Sequence, residues 1–526
     1  MAKQIAAQDL DDLMLRDGDN VALLDVRETG EYNLAHISGS CSLPRRLIEW
    51  RVSQLVPWTG AGVIVCDDDG QRASLAASTL EALGYSDVSV LSGGLNRWVT
   101  QGYGTEWGVN VPSKDFGERL LLTQHLPEVE PDELAGWLKD GRKLIMLDSR
   151  TPEEHNRACI PGSRSMPGAE LGLRIWDLAS DDTTVVVHCA GRTRSIVGAG
   201  TLQRLGIKNV FALKNGTMGW QLAGLELETG SQRLSLPEPT PEGRAQAESK
   251  AREVAQQEGV RYLDAKSCRE MIASAASQTV YLIDVRSREE YAAAHVPEFR
   301  WVPGGQAVQA TDNFVAVRGG AIVFACDATS VRSSMTAAWF RQMGFTNVYV
   351  LDGGTDAWRA AGLDLDTGQD IEAPAGLEAA RKRVETEVPE GLQAKLRAGG
   401  VTVVHVGTSD EFSAAHVPGS RWLSRSWLEL RIGEIMPSKA SRVILTCKDG
   451  TSALLAAATL LDLGYEAAAL EGGVDAWRAA GLPVEHGLTS VAQAPDDVLP
   501  VRRSYAEMLN YLRWEEQLGE KYEQRS

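Results

Sequence analysis

The chain has no C-x-x-C pair and only seven cysteines in 526 residues: Cys41, Cys66, Cys159, Cys189, Cys268, Cys326 and Cys447. An odd, widely scattered set supplies neither a disulfide framework nor a zinc site. It fits a reducing compartment. No apolar stretch approaches the ~18 residues of a membrane-spanning helix. The opening MAKQIAAQDLDDLML has no signal-peptide core, so the expectation is a soluble, cytoplasmic protein without a membrane partner. Positive charge is in deficit: 53 Lys and Arg stand against 71 Asp and Glu, a net charge of −18. Such a chain repels a phosphate backbone, which argues against nucleic acid as a partner. The rest is ordinary globular material, 43% hydrophobic and 24% charged. The length suggests roughly three to five domains.

What the sequence does contain is repetition. A glycine-rich turn ending in tryptophan occurs four times: LSGGLNRW to Trp98, LKNGTMGW to Trp220, LDGGTDAW to Trp358 and LEGGVDAW to Trp477. An apolar strand runs into a cysteine four times, at Cys66, Cys189, Cys326 and Cys447. An opening motif precedes each, LLDVR at Asp25, MLDSR at Asp148, LIDVR at Asp284 and VVHVG at His405. Opening residue and cysteine are 41, 41, 42 and 42 residues apart, and cysteine and tryptophan 32, 31, 32 and 30. Intervals this steady mark a tandem array of domains, since the period of roughly 120–140 residues is too long for a solenoid repeat.

Short apolar runs such as VALLD and GVIVC read as buried parallel strands. Between them, SLAASTLEALGY and its three counterparts carry apolar residues at helical spacing and end at a capping glycine. Alternating strand and helix predicts four small, doubly wound α/β domains with parallel sheets. The boundaries fall at 1–108, 120–230, 259–370 and 376–486. The Pro-rich, charged segment 231–258 reads as a linker between a front pair and a back pair, its helical part 241–258 as a solvated helix. Residues 487–526 form a helical tail with an amphipathic pattern.

A cysteine at the end of a buried strand, followed by a loop and a helix, sits where open α/β sheets bind ligands. Loop amides and the helix N-terminus favour an anion there and a thiolate. In the second domain the loop is Cys189, Ala190, Gly191, Arg192, Thr193, Arg194 and Ser195. Arg192 and Arg194 are expected to lower the thiol pKa and attract a small dianion. Gly191 permits a tight loop, and Ser195 offers a hydroxyl and a helix cap.

These motifs resemble the rhodanese family: the D-x-R opening, the turn that follows it (AHISGS at His36, RACIPGS at Cys159, AHVPEF at His295, AHVPGS at His416), the cysteine loop with arginine five residues on, and the GG-x-x-x-W ending. The resemblance covers nearly all of the chain outside the linker and tail. It implies four rhodanese-like domains and sulfur transfer without a metal or cofactor. The Cys189 thiolate would take the outer sulfur of thiosulfate or a related small anionic donor and pass it to cyanide, a thiol or a protein acceptor. Gly191, Arg192, Thr193, Arg194 and Ser195 would bind the donor.

The four loops differ. The first, CDDDGQRAS, puts Asp67, Asp68 and Asp69 beside Cys66, which should raise that thiol's pKa and repel a dianion. The fourth, CKDGTSALL, has Ser452 in place of arginine, and its opening has His405 and Gly407 in place of Asp and Arg. The third, CDATSVRSS, makes Cys326 and Arg332 a secondary candidate site. Its six-residue cysteine-to-arginine step resembles that of the dual-specificity phosphatases and arsenate reductases of this fold, which leaves phosphatase or arsenate-reductase chemistry as an alternative. A sulfur relay or partner-binding scaffold is another. His188 is expected to be buried on the strand, Asp148 and Arg150 to form a structural ion pair, and Cys41, Cys159, Cys268 and the four tryptophans to be packing residues.

Overall fold

The computed structural model describes residues 2–369, 373–492, 496 and 504–523. It contains four five-stranded sheets whose strand pairs are all parallel. In every sheet the strands, numbered along the domain, lie in the order 1-5-4-2-3. The fold is therefore the four-domain, doubly wound α/β array predicted from the strand and helix pattern.

In the second domain the central strand is Thr184–His188, with all five residues buried. Strand Val210–Leu213 lies on one side of it and strand Leu144–Asp148 on the other. A Thr-Val-Val-Val run suits this place, because helices cover both faces and β-branched side chains pack well on a pleat. The strand delivers Cys189 at its carboxyl end, and helix Thr193–Arg204 begins four residues later.

The GG-x-x-x-W motif now has a physical reason. Its second glycine adopts positive φ, at Gly94, Gly216, Gly354 and Gly473. A Cβ there would collide with the backbone carbonyl at the start of the cysteine loop, that of Cys189 in the case of Gly216. Only glycine lets the two chains approach so closely. The first position of the turn is also left-handed, and in the second domain Asn215 fills it at φ 62°. The tryptophan indole then donates to a carbonyl six residues on, Trp220 to Glu226 at 2.9 Å.

Two compact units organise the array. One comprises residues 1–109 and 371–499, the other 110–370 and 500–526. The second and third domains therefore share a unit, as do the first and fourth. This replaces the front-and-back pairing read from the linker. Helix Pro241–Gln257 is also not simply solvated. Its Ala247, Ala251, Val254 and Ala255 are buried in the core of the 110–370 unit. The third domain contributes Trp339 to that core, where its indole donates to Thr201 of the second at 2.9 Å.

Described residues of the C-terminal segment form helix Tyr505–Gln517, which packs on the second domain. No described helix is long and apolar enough to cross a membrane.

Candidate active site

The first three domains fix their cysteine loops with the same frame. In the second, Asp148 at the end of its strand accepts from Arg150 at 2.9 and 2.7 Å, and Arg150 reaches the Ala158 carbonyl at 2.6 Å. Thr151 caps the next helix in a capping box with Glu154. The carboxylate of Glu154 also takes both guanidinium nitrogens of Arg194, at 2.7 and 2.9 Å. A bidentate pair fixes the plane as well as the charge. Glu31–Arg72 and Glu290–Arg332 are the same pair in the first and third domains. In the fourth, Ser452 leaves Glu411 without this partner, and burial pushes its carboxyl up.

Cys189 is buried, and its Sγ lies 3.6 Å from the hydroxyl of Ser195, which itself donates to the Arg192 carbonyl at 2.7 Å. Gly191 and Thr193 are buried within the loop. Arg192 is engaged elsewhere. Its guanidinium binds Glu118 at 2.6 and 2.8 Å, Asn215 at 3.1 Å and Glu516 at 3.3 Å. Arg192 is thus held by carboxylates of other elements, while Arg194 is held by Glu154. His188 is fully buried; neither ring nitrogen makes a hydrogen bond, Nδ1 stands 3.8 Å from Asp148, and burial lowers the ring's pKa to about 4.

The other three loops carry carboxylates of their own. Asp67 accepts from the backbone amides of Gly70 at 2.5 Å, Arg72 at 2.7 Å and Ala73 at 3.2 Å. It thereby fills the amide cradle of the first domain. Burial, followed by Asp25, pushes the Cys66 thiol well up. In the third domain Asp327 accepts from the Thr329 amide at 3.0 Å and from Arg332 at 2.7 Å. Burial and Asp327 push Cys326 up to about 12. In the fourth, Asp449 accepts from the Thr451 amide at 2.9 Å and lies 3.6 Å from Cys447, which burial pushes up to about 12. The loop around Cys189 has no acidic residue of its own.

Two features were only partly legible in the sequence: Cys159 stands where the other turns have His, and the tail reads as an amphipathic helix, but their partners could not be read. The first is a substitution at the turn. Tyr32 stacks on His36, Tyr291 on His295 and Phe412 on His416. In the second domain the same two positions hold His155 and Cys159. His155 Nδ1 sits 3.0 Å from Asp148. Burial pushes the Cys159 thiol up, but the His155 ring together with the Ser163 and Ser231 hydroxyls outweighs it and the net shift is down. Cys159 has no exposed surface, and of this pair it is His155 that contacts Asp148. The second is the C-terminal helix. Met508 and Leu512 pack on Ala190 and Met218, against the cysteine loop.

A cavity of about 710 Å³ within the 110–370 unit is lined by Arg150 and Arg194 of the second domain and by Arg286 and Arg332 of the third. Among the described residues no cluster of His, Cys, Asp or Glu could hold a metal ion.

Fold and site together define an α/β domain with one buried cysteine at the carboxyl end of its central strand, followed by a short loop and a helix. The chain belongs to the rhodanese family. The rhodanese-like domain matches residues 6–101, 130–223, 264–361 and 388–480. The crystal structure of a thiosulfate sulfurtransferase from Pseudomonas aeruginosa is 36% identical with a TM-score of 0.89, and the match covers 98% of this chain and 97% of that one. Among curated proteins, a putative thiosulfate sulfurtransferase of Mycobacterium tuberculosis is 27% identical over 207 residues, 34% of this chain and 70% of its own. A sulfurtransferase of Allochromatium vinosum is 27% identical over 100 residues, 19% of this chain and 92% of its own.

Proposed function

We propose that this protein is a sulfurtransferase that carries sulfur as a persulfide on Cys189, with thiosulfate or a related small anion as donor. The observation that carries the reading is the contrast among the four loops. Only the second combines an arginine five residues after the cysteine, held by Glu154, with a loop free of carboxylates of its own. The thiosulfate sulfurtransferase similar to it over nearly its full length supports the donor class.

The chemistry balances with the thiolate and two small anions. Cys189 sulfur attacks the outer sulfur of thiosulfate, a new S–S bond forms, and the bond to the sulfonate sulfur breaks. Sulfite leaves with the electron pair. Cyanide or a thiolate then attacks the outer persulfide sulfur, and the Cys189 thiolate is regenerated. Arg194 and the loop amides stabilise the anionic forms, because fixed donors in a buried site need no reorganisation as charge moves. The phosphatase alternative loses support at Cys326. Asp327 sits on the loop where a tetrahedral anion would bind, and the thiol is pushed up to about 12.

Cys189→Ser is expected to abolish thiocyanate formation from thiosulfate and cyanide, while Cys66→Ser, Cys326→Ser and Cys447→Ser each retain it. A Cys189→Ser protein with an undiminished rate would refute the proposal.

A further inference from the structure

The second domain lacks an acidic residue in its loop, yet a carboxyl group reaches that loop from the far end of the chain. Helix Tyr505–Gln517 docks through Met508 and Leu512 on Ala190 and Met218. Glu516 pairs with Arg192 at 3.3 Å. Lys114, from helix Val111–Thr123, lies over the rings of Tyr511 and Trp514 at 5.0 and 4.8 Å. These contacts bring Glu515 against the loop, with only 2% of its surface exposed. Its Oε1 accepts from the Tyr511 hydroxyl at 2.8 Å. Its Oε2 has no hydrogen-bond partner and lies 3.2 Å from where a Cβ on Gly191 would stand. Burying an unsatisfied carboxyl oxygen is costly, so it calls for a reason.

The first domain supplies the precedent within the same chain. There Asp67 sits on its own loop amides and takes the place of a ligand anion. In the second domain the carboxyl is borne on a separate helix. We infer that Glu515 is a charge-selecting residue of the Cys189 site, disfavouring doubly charged sulfur donors relative to singly charged ones. The inference rests on the proposed sulfur transfer at Cys189. A negative charge beside the loop opposes a dianion about twice as strongly as a monoanion, since Coulomb energy scales with the product of charges.

The groups facing Glu515 are Lys114 and Glu118 from helix Val111–Thr123, Arg192 from the loop, and Tyr511 on its own helix. Burial raises its pKa, Lys114, Tyr511 and Arg192 oppose the rise, and Glu118 adds to it. As pH rises the carboxyl loses its proton, and discrimination against the dianion grows.

The test uses the full chain and two donors of the same reaction type, thiosulfate and the monoanion methanethiosulfonate, with persulfide formation on Cys189 as the readout. Glu515→Gln is expected to raise kcat/KM for thiosulfate about tenfold more than for methanethiosulfonate, and to remove the pH dependence of the donor ratio that the carboxyl imposes. Glu515→Ala should move the donor ratio the same way. If the wild type loads both donors and neither variant changes their ratio, the inference fails alone. If the wild type loads neither donor on Cys189, the sulfurtransferase reading fails and the inference with it.

Discussion

Glu154 holds the plane of Arg194 through two hydrogen bonds, and the proposed sulfur transfer assigns this arginine to the anion at Cys189. A lysine would keep the charge and lose the fork. Arg194→Lys is therefore expected to reduce kcat/KM for thiosulfate about a hundredfold with the fold intact, as steady-state kinetics and circular dichroism would show. An unchanged kcat/KM would mean that charge alone suffices. The identity of this arginine was legible in the sequence, since its offset from the cysteine is local. The partnership of Arg192 was not. Its carboxylate, Glu118, lies 74 residues away and its second, Glu516, 324 residues away. Sequence spacing cannot report such contacts. Cys159 in place of the turn histidine was legible; His155 in place of the ring could have been read by aligning the four turns at four-residue offset, because Tyr32, Tyr291 and Phe412 hold its place.

Strands and loop-following helices were the most legible elements, because each has its own apolar period and glycine stop. The helix at 241–257 hid its packing. Three of its buried residues are alanines set among Glu, Arg, Lys and Gln, and alanine contributes little to an apolar pattern. The central strand Thr184–His188 makes a prediction of its own. It buries His188 as the neutral ring, with a pKa of about 4 against an ordinary value of 6.5. Above pH 6.5 both folded and unfolded chains hold it neutral. As pH falls from 6.5 towards 4 only the unfolded chain gains the proton, so stability declines by up to about 3 kcal/mol. Urea unfolding of the wild type should show this acid loss, and His188→Leu should flatten it. An equally steep loss in the variant would place the titrating group elsewhere.

Across the whole molecule, four copies of one domain have diverged by what stands beside the sulfur. Asp67, Asp327 and Asp449 each accept a loop amide in their own domain. The second domain keeps its loop clear of such residues and shares its unit with the third domain and the C-terminal helix. That grouping depends on which surfaces match, and no motif encodes it. The central claim is that one of the four loop cysteines carries the sulfur. It is tested most directly by incubating the full chain with thiosulfate, blocking thiols and locating added sulfur by peptide mass spectrometry. A persulfide is expected on the Cys189 peptide, with Cys66, Cys326 and Cys447 unmodified. Sulfur on Cys326 or another loop cysteine while Cys189 stays free would contradict it.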